Sequence, residues 1–183
     1  DAARLSRILK DIALHAIALR VEGSGAEELG GLIAKQPIDP ERLSISFGAE
    51  NAAIARRLAA QGFTGPLMEA DGRRWHEMGV TPGEELGAVL GEAVAHLRSL
   101  DGLIDAALSR AIGVTLAADQ DMFATLAKFR AMRLLWARVL EASGLPAAEL
   151  TLHAETSWRM LALMDPHPNT LRATAAVIGA GLG

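Results

Sequence analysis

Apolar residues recur along this chain in two periods, steps of three and four and steps of two, and stretches of the two kinds succeed one another from end to end. The clearest helical stretch follows Asp119, where Met122, Leu126, Phe129, Met132, Trp136 and Val139 form one stripe and Arg130, Arg133 and Arg138 take the opposite flanks. Asp119 or Asp121 caps its start, and Gly144 with Pro146 beyond it is a stop signal. ELTLHAE then alternates, with Leu150, Leu152 and Ala154 on one face and Thr151, His153 and Glu155 on the other. A helix feeds a strand whose second face is polar.

The same succession runs through the rest of the chain. Ala2 to Ala13 predicts a helix, and AIALRVEG a strand with Ile17, Leu19 and Val21 on one side. Ser24 is placed to cap a helix through Lys35. LSISFG alternates Leu43, Ile45 and Phe47 against Ser44 and Ser46, and Glu50 to Gln61 predicts a helix ended by Gly62. GPLMEADG predicts a short strand, GRRWHEMGVTP a loop, and Pro82 to about Leu100 a helix with Leu86, Val89, Leu90, Ala93, Val94 and Leu97 inward. Leu103 to Ala111 predicts a further helical turn, IGVTLAAD the fourth strand, LTLHAE the fifth, and Pro168 to Ala180 a last helix with Pro at its first turn.

Strands alternating with helices imply an α/β fold with a parallel sheet. Central strands of an open, doubly wound sheet read as continuous apolar runs, because helices cover both faces. These strands set a small or polar face (Ser44 and Ser46; Gly113, Thr115 and Ala117; Thr151, His153 and Glu155) against an apolar one. The pattern predicts part of a (β/α)8 TIM-type barrel, with about five parallel strands, outer helices and a ligand-sized bore. Complete barrels of this type have eight strands and roughly 250 residues. Residues 1–183 are therefore expected to be a single partial barrel, completed by other polypeptide.

Composition narrows the function classes. Half of the 183 residues are hydrophobic and the formal net charge is -4, which suits a sizeable core and disfavours a binder of phosphate backbones. Aromatic residues are 4% with no Tyr, so stacking platforms for nucleic acid are scarce. The absence of cysteine excludes disulfides and thiolate metal sites and is compatible with a cytoplasmic location. No run reaches the roughly 18 apolar residues of a membrane span.

Active sites of such barrels sit at the carboxyl ends of the strands. Those ends offer Glu22, Glu69 with Asp71, Asp119 with Asp121, and His153 with Glu155, and the loop after the third strand adds Arg73, Arg74 and His76. Several have plain structural roles: Asp119 as a helix cap, Asp71 as a turn residue, Arg73 and Arg74 as solvated charges, Trp136 and Trp158 as packing residues. No metal site is expected. His153 and Glu155 are the leading pair for acid–base chemistry, because alternation points both into the bore. No G-x-G-x-x-G, P-loop or G-x-S-x-G motif occurs.

KFRAMRLLWARV, HAETSWRM and DPHPNTLRATAAVIGAGLG resemble the methylmalonyl-CoA mutase family, specifically its small subunit, and DGRRWHEMG and IGVTLAADQDMF resemble that family's loop and following strand. The resemblance runs from about Ser44 to the end. It implies a barrel domain that admits acyl-CoA, with Ser44, Ser46, Thr115, Thr151, Arg73 and Arg74 as substrate-binding candidates. It also implies adenosylcobalamin, held by the wider family complex and not by this stretch, which lacks the Asp-x-His-x-x-Gly pattern of a cobalamin-binding domain.

The departures from the catalytic subunits bear on activity. Their loop carries Gly-Tyr-His, and alignment on Gly72 and Glu77-Met78-Gly79 puts Arg73 and Arg74 at the Tyr and His positions. Their next strand opens with an Arg whose place falls on Ala111. Their later Arg-Thr-His-Cys-Gln-Thr-Ser matches Thr151 to Ser157, so a second Arg is lost, the His is kept as His153, and the Gln becomes Glu155. A carboxylate there repels a substrate carboxylate unless it is protonated or paired, and each lost Arg removes a bidentate partner for that carboxylate. The resemblance thus implies a non-catalytic subunit, heterodimeric with a large catalytic one that interconverts methylmalonyl-CoA and succinyl-CoA. Were the chain active, His153, Glu155 and Arg74 would be its candidate catalytic residues. The alternatives are a self-sufficient mutase of another acyl-CoA and an unrelated barrel enzyme using His153 and Glu155 as acid and base.

Overall fold

The computed structural model describes residues 2–183. In chain order the elements are α1 (Ala2–Ile8), β1 (Ala18–Arg20), α2 (Ala26–Ile33), β2 (Ser44–Ser46), α3 (Ala52–Ala60), β3 (Met68–Asp71), α4 (Arg73–Glu77), α5 (Pro82–Ser99), α6 (Asp105–Leu108), β4 (Ile112–Ala118), α7 (Met122–Ala142), β5 (Thr151–Thr156) and α8 (Asn169–Leu182). The fold is α/β with parallel sheets: a two-stranded sheet β1-β2, and a three-stranded sheet in the order β3-β4-β5. Among the described residues these sheets are small and do not close.

Local chemistry sets most boundaries. Asn51 caps α3 by accepting the Ile54 N–H at 3.1 Å, and Asp121 caps α7 by accepting that of Ala124 at 3.0 Å. At the start of α5 the Glu84 carboxylate accepts the Thr81 N–H at 2.8 Å, while the Thr81 hydroxyl accepts the Glu84 N–H at 3.4 Å, a capping box with Pro82 inside it. Ser24 does not cap α2; Gly25 holds that position with φ +152°, and no side chain bonds there. The loop expected over GRRWHEMGVTP contains α4, because the Asp71 carboxylate accepts the Arg73 N–H at 2.9 Å and so satisfies a free donor of its first turn.

The chain divides into two compact units, residues 1–69 with 95–113 and residues 70–94 with 114–183. In the first, β1 and β2 align Ala18 with Ser44, Leu19 with Ile45 and Arg20 with Ser46. Backbone pairing continues from Phe47 to Pro66 (2.9 Å) and from Leu67 to Ala111 (2.7 Å). A Cβ at Gly65 would lie 2.3 Å from the Ile45 carbonyl oxygen, so only glycine permits this approach. The Phe47 and Phe63 rings meet edge to face at 4.8 Å in its core.

In the second unit α7 packs along α8. A Cβ on Gly179 would come within 2.7 Å of the Met122 carbonyl oxygen, and Arg130 donates to the Leu182 carbonyl at 3.0 Å, closing the end of α8. The buried stripe of α7 is Thr125, Lys128, Phe129, Met132, Trp136 and Leu140, rotated from the expected one so that Met122, Leu126 and Val139 lie at its edge. Trp136 is enclosed, whereas Trp158 is 74% exposed and does not serve the packing role expected of it.

The polar faces differ from a uniformly wet bore. Every residue of β4 is buried, Thr115 completely. The room left by Gly113 is filled, since a Cβ there would lie 3.1 Å from that of Pro66. Small residues on β4 serve close packing, not an open channel.

Trp136→Ala in the full-length protein should cost about 3–5 kcal/mol, the usual result of emptying an aromatic core site. Arg138→Ala, at an exposed surface ion pair with Glu141, should stay within about 0.5 kcal/mol. Urea denaturation of the two variants tests the contrast.

Candidate functional site

The ends of β3, β4 and β5 in the second unit carry two adjoining sets of polar side chains. The first surrounds Arg73, at the start of α4. Its guanidinium holds the Asp71 carboxylate through Nε (3.0 Å) and Nη2 (2.8 Å), and its Nη1 donates to Glu155 Oε2 on β5. One cation therefore joins carboxylates from two strands. Arg74, more than half exposed beside it, pairs with Glu92 at 3.1 Å and lies 5.1 Å above the Trp75 ring. Arg73, Arg74, Glu77, Ala117, Glu155, Thr156, Ser157 and Trp158 line a cleft of about 190 Å³.

The second set is buried. Glu85, on α5, has no exposed surface, yet three groups converge on its carboxylate. Lys128 Nζ donates to Oε2 at 2.6 Å, His76 Nδ1 lies 3.4 Å from the same oxygen, and the Ala117 N–H donates to Oε1 at 3.1 Å. A Cβ at Gly72 would come within 2.9 Å of Oε1. His76 Nε2 lies 2.7 Å from Ser157 Oγ and 3.7 Å from Asp119 Oδ2. In the tautomer that carries its proton on Nδ1, facing Glu85, Nε2 is the acceptor for the Ser157 hydroxyl. His76, Lys128, Asp119, Asp121 and Arg159 also line a cavity of about 220 Å³.

Burial by itself would push the Glu85 carboxyl up. The His76 hydrogen bond, the Lys128 charge with its hydrogen bond, and the Ala117 amide outweigh that and hold it below its ordinary value of 4.5. At neutral pH Glu85 is accordingly an anion in the folded protein.

Ser157, His76 and Glu85 are ordered like a nucleophile, a base and the group that orients it. The surroundings oppose that chemistry. Ser157 is 1% exposed, its N–H is taken by the Ala118 carbonyl at 2.7 Å, and the Trp158 N–H by Glu77 at 3.1 Å. The two nearest amides are thus unavailable to an oxyanion, and Glu85 is shared with Lys128. The network joins α4, α5, α7 and the end of β5, and its role is to hold them.

The residues singled out from sequence fall in several places. Ser44 (exposed) and Ser46 (half-buried) belong to the first unit, Thr115 is enclosed in β4, and Thr151 is exposed on β5. His153 is half-buried on β5, and Glu155 is bound to Arg73. Arg73 is not the solvated charge its loop position suggested. Glu85, Lys128 and Ser157 escaped the sequence reading and His76 was set among loop residues. A signal existed: Glu85 lies four residues before Val89 on the buried stripe of α5, and Lys128 four before Met132 on that of α7, two opposite charges at core positions. Among the described residues no group of three or more His, Cys, Asp or Glu is arranged to hold a metal ion.

The family model of methylmalonyl-CoA mutase matches residues 67–183. The chain is 41% identical over 162 residues to a probable methylmalonyl-CoA mutase small subunit of Mycobacterium tuberculosis (strain ATCC 25618 / H37Rv), a match covering 87% of this chain and 25% of that protein. It is 38% identical over 168 residues to the methylmalonyl-CoA mutase small subunit of Streptomyces virginiae, covering 88% and 27% respectively. The Propionibacterium freudenreichii subsp. shermanii small subunit is 26% identical over 204 residues, covering 98% and 32%. The chain thus spans about a quarter to a third of the length of the curated relatives it matches.

Removing one partner of the buried pair should cost about 3–5 kcal/mol, as Glu85→Gln strands the Lys128 ammonium and Lys128→Met the Glu85 carboxylate. The sign with pH follows from the lowered carboxyl. The folded state binds that proton more weakly than the unfolded chain, so the Glu85 contribution is complete above 4.5 and is lost as pH falls below it through the folded value. Denaturation midpoints of the full-length protein from pH 7 down to pH 3 should show this acid loss, and Glu85→Gln should remove that component.

Proposed function

Because the chain belongs to the methylmalonyl-CoA mutase family, we propose that it is the acyl-CoA-binding barrel portion of a small-subunit-like mutase protein, residues 1–183 forming part of a (β/α)8 barrel. In this reading the protein supports, as the non-catalytic partner of a large subunit in the cytoplasm, the interconversion of methylmalonyl-CoA and succinyl-CoA. Parallel strands taken in chain order, each followed by helix, favour the barrel. The names of the relatives favour the two-subunit arrangement.

One observation carries the non-catalytic reading: the Arg73 guanidinium is shared between Asp71 and Glu155. A carboxylated acyl group needs a cation with donors to spare, preferably a bidentate one. Arg73 gives donors to two carboxylates of its own chain, and Arg74 is paired with Glu92. Glu155, committed to a cation, is also poorly placed to share a proton with His153, which disfavours an acid–base pair.

Adenosylcobalamin belongs to this reading through the family. The reading assigns it to the wider family complex and not to residues 1–183; the two clefts of the second unit, of about 190 and 220 Å³, are small beside the roughly 300 Å³ at which drug-sized pockets begin. The candidate residues for the acyl-CoA itself remain Ser44, Ser46, Thr115, Thr151, Arg73 and Arg74.

With adenosylcobalamin and methylmalonyl-CoA, the full-length protein alone should form no succinyl-CoA above background, and mixing it with the large subunit should restore turnover. Isomerisation by the full-length protein alone would overturn the reading.

A further inference from the structure

The buried ammonium of Lys128 makes fewer bonds than its chemistry demands. Its side chain is 3% exposed, and its one partner among the described residues is Glu85, at 2.6 Å. An ammonium carries three donors, so two N–H groups of a buried cation have no acceptor among the described residues, which is costly. Lys128 lines the cavity of about 220 Å³ beside the first turns of α7, and the groups that share this wall decide what can answer it.

The wall holds unspent groups of both kinds. Arg159, an exposed residue, gives Nη1 to the His76 carbonyl, and the rest of its guanidinium has no partner among the described residues. Asp119 and Asp121 each spend one carboxylate oxygen, on the N–H groups of Asp121 (2.9 Å) and Ala124 (3.0 Å) respectively. Oδ2 of Asp119 lies 3.7 Å from His76 Nε2, beyond a hydrogen bond. Glu85 matches Lys128 and Arg159 matches one aspartate, so with His76 uncharged the wall is left with one negative charge. A simple anion would add to that excess, and a simple cation would leave the donors of Lys128 unmet. A molecule with an anionic end for Lys128 and Arg159 and a cationic end for Asp119 and Asp121 meets both needs and leaves the net charge unchanged. Val80 and Pro82 add an apolar wall for a short side chain, and the volume suits a molecule smaller than those of drug-sized pockets, which begin at roughly 300 Å³.

We propose that this cavity is a binding site for a small zwitterion of the α-amino acid type, its carboxylate on Lys128 and Arg159 and its ammonium on Asp119 and Asp121. Binding here requires neither an acyl thioester nor a large subunit, so it stands apart from the mutase reading.

The test is calorimetric titration of the full-length protein with L-alanine, and with propionate and ethylammonium, each of which keeps one of alanine's two charged ends. Alanine should bind about tenfold or more tighter than either, the size of one charge-assisted hydrogen bond. Asp119→Asn combined with Asp121→Asn keeps the two backbone acceptors and the cap of α7 but removes the charges that face the ammonium. The double variant should weaken alanine binding about tenfold or more and leave propionate binding no weaker. Arg159→Gln should weaken alanine and propionate together and leave ethylammonium within about twofold. Urea denaturation checks that each variant folds, and Arg159→Gln carries the test if the double variant does not. Alanine binding no tighter than propionate or ethylammonium, as at a plain ion site, would overturn the proposal. So would no binding of alanine, or folded variants that leave its affinity unchanged.

Discussion

A carboxylate with no exposed surface is tolerated in a protein only where its charge is matched, and Glu85 is matched from three elements at once. Lys128 brings the charge from α7, His76 a ring nitrogen from α4, and Ala117 a backbone amide from the end of β4. The amide matters as much as the ammonium, because a buried strand N–H without an acceptor is costly. Glu85 thereby ties the last residues of the sheet to two helices. The missing Cβ at Gly72 belongs to the same constraint, since its place is taken by that carboxylate and by Val89 and Leu116.

From that tie the rest of the second unit follows. His76, oriented by Glu85, presents Nε2 to Ser157, which fixes the chain where it leaves β5. Trp158 is then held with its N–H on Glu77 and its ring outward. Glu155, two residues earlier, reaches Arg73 at the beginning of the same short helix that carries His76. The buried network and the cleft are thus two sides of α4. One side is enclosed, and the other is open to solvent.

Much of the fold could be read from the chain because its determinants are local. Asn51 and Asp121 cap α3 and α7 through amides three residues away, and the alternating residues of ELTLHAE became β5. Where local rules failed, a neighbour in space intervened. α4 lay hidden in an expected loop because its support comes from Asp71 and from the buried contacts of His76. The small residues of β4 suggested open space, yet Pro66 occupies the room left by Gly113.

The sequence by itself determined the alternation of strand and helix, the cap of α7, the absence of thiol chemistry and the family, since each depends on residue type and spacing over a few positions. Tertiary structure alone decided which charges meet. Lys128 and Glu85 are 43 residues apart, and Arg73 and Glu155 are 82 apart. A buried charge looks in the sequence like a break in a helical stripe, and a paired arginine looks like a solvated one. Only packing settles whether a partner lies within 3 Å or a guanidinium is already spoken for, because the energy of a charge depends on what surrounds it and not on where it stands in the chain.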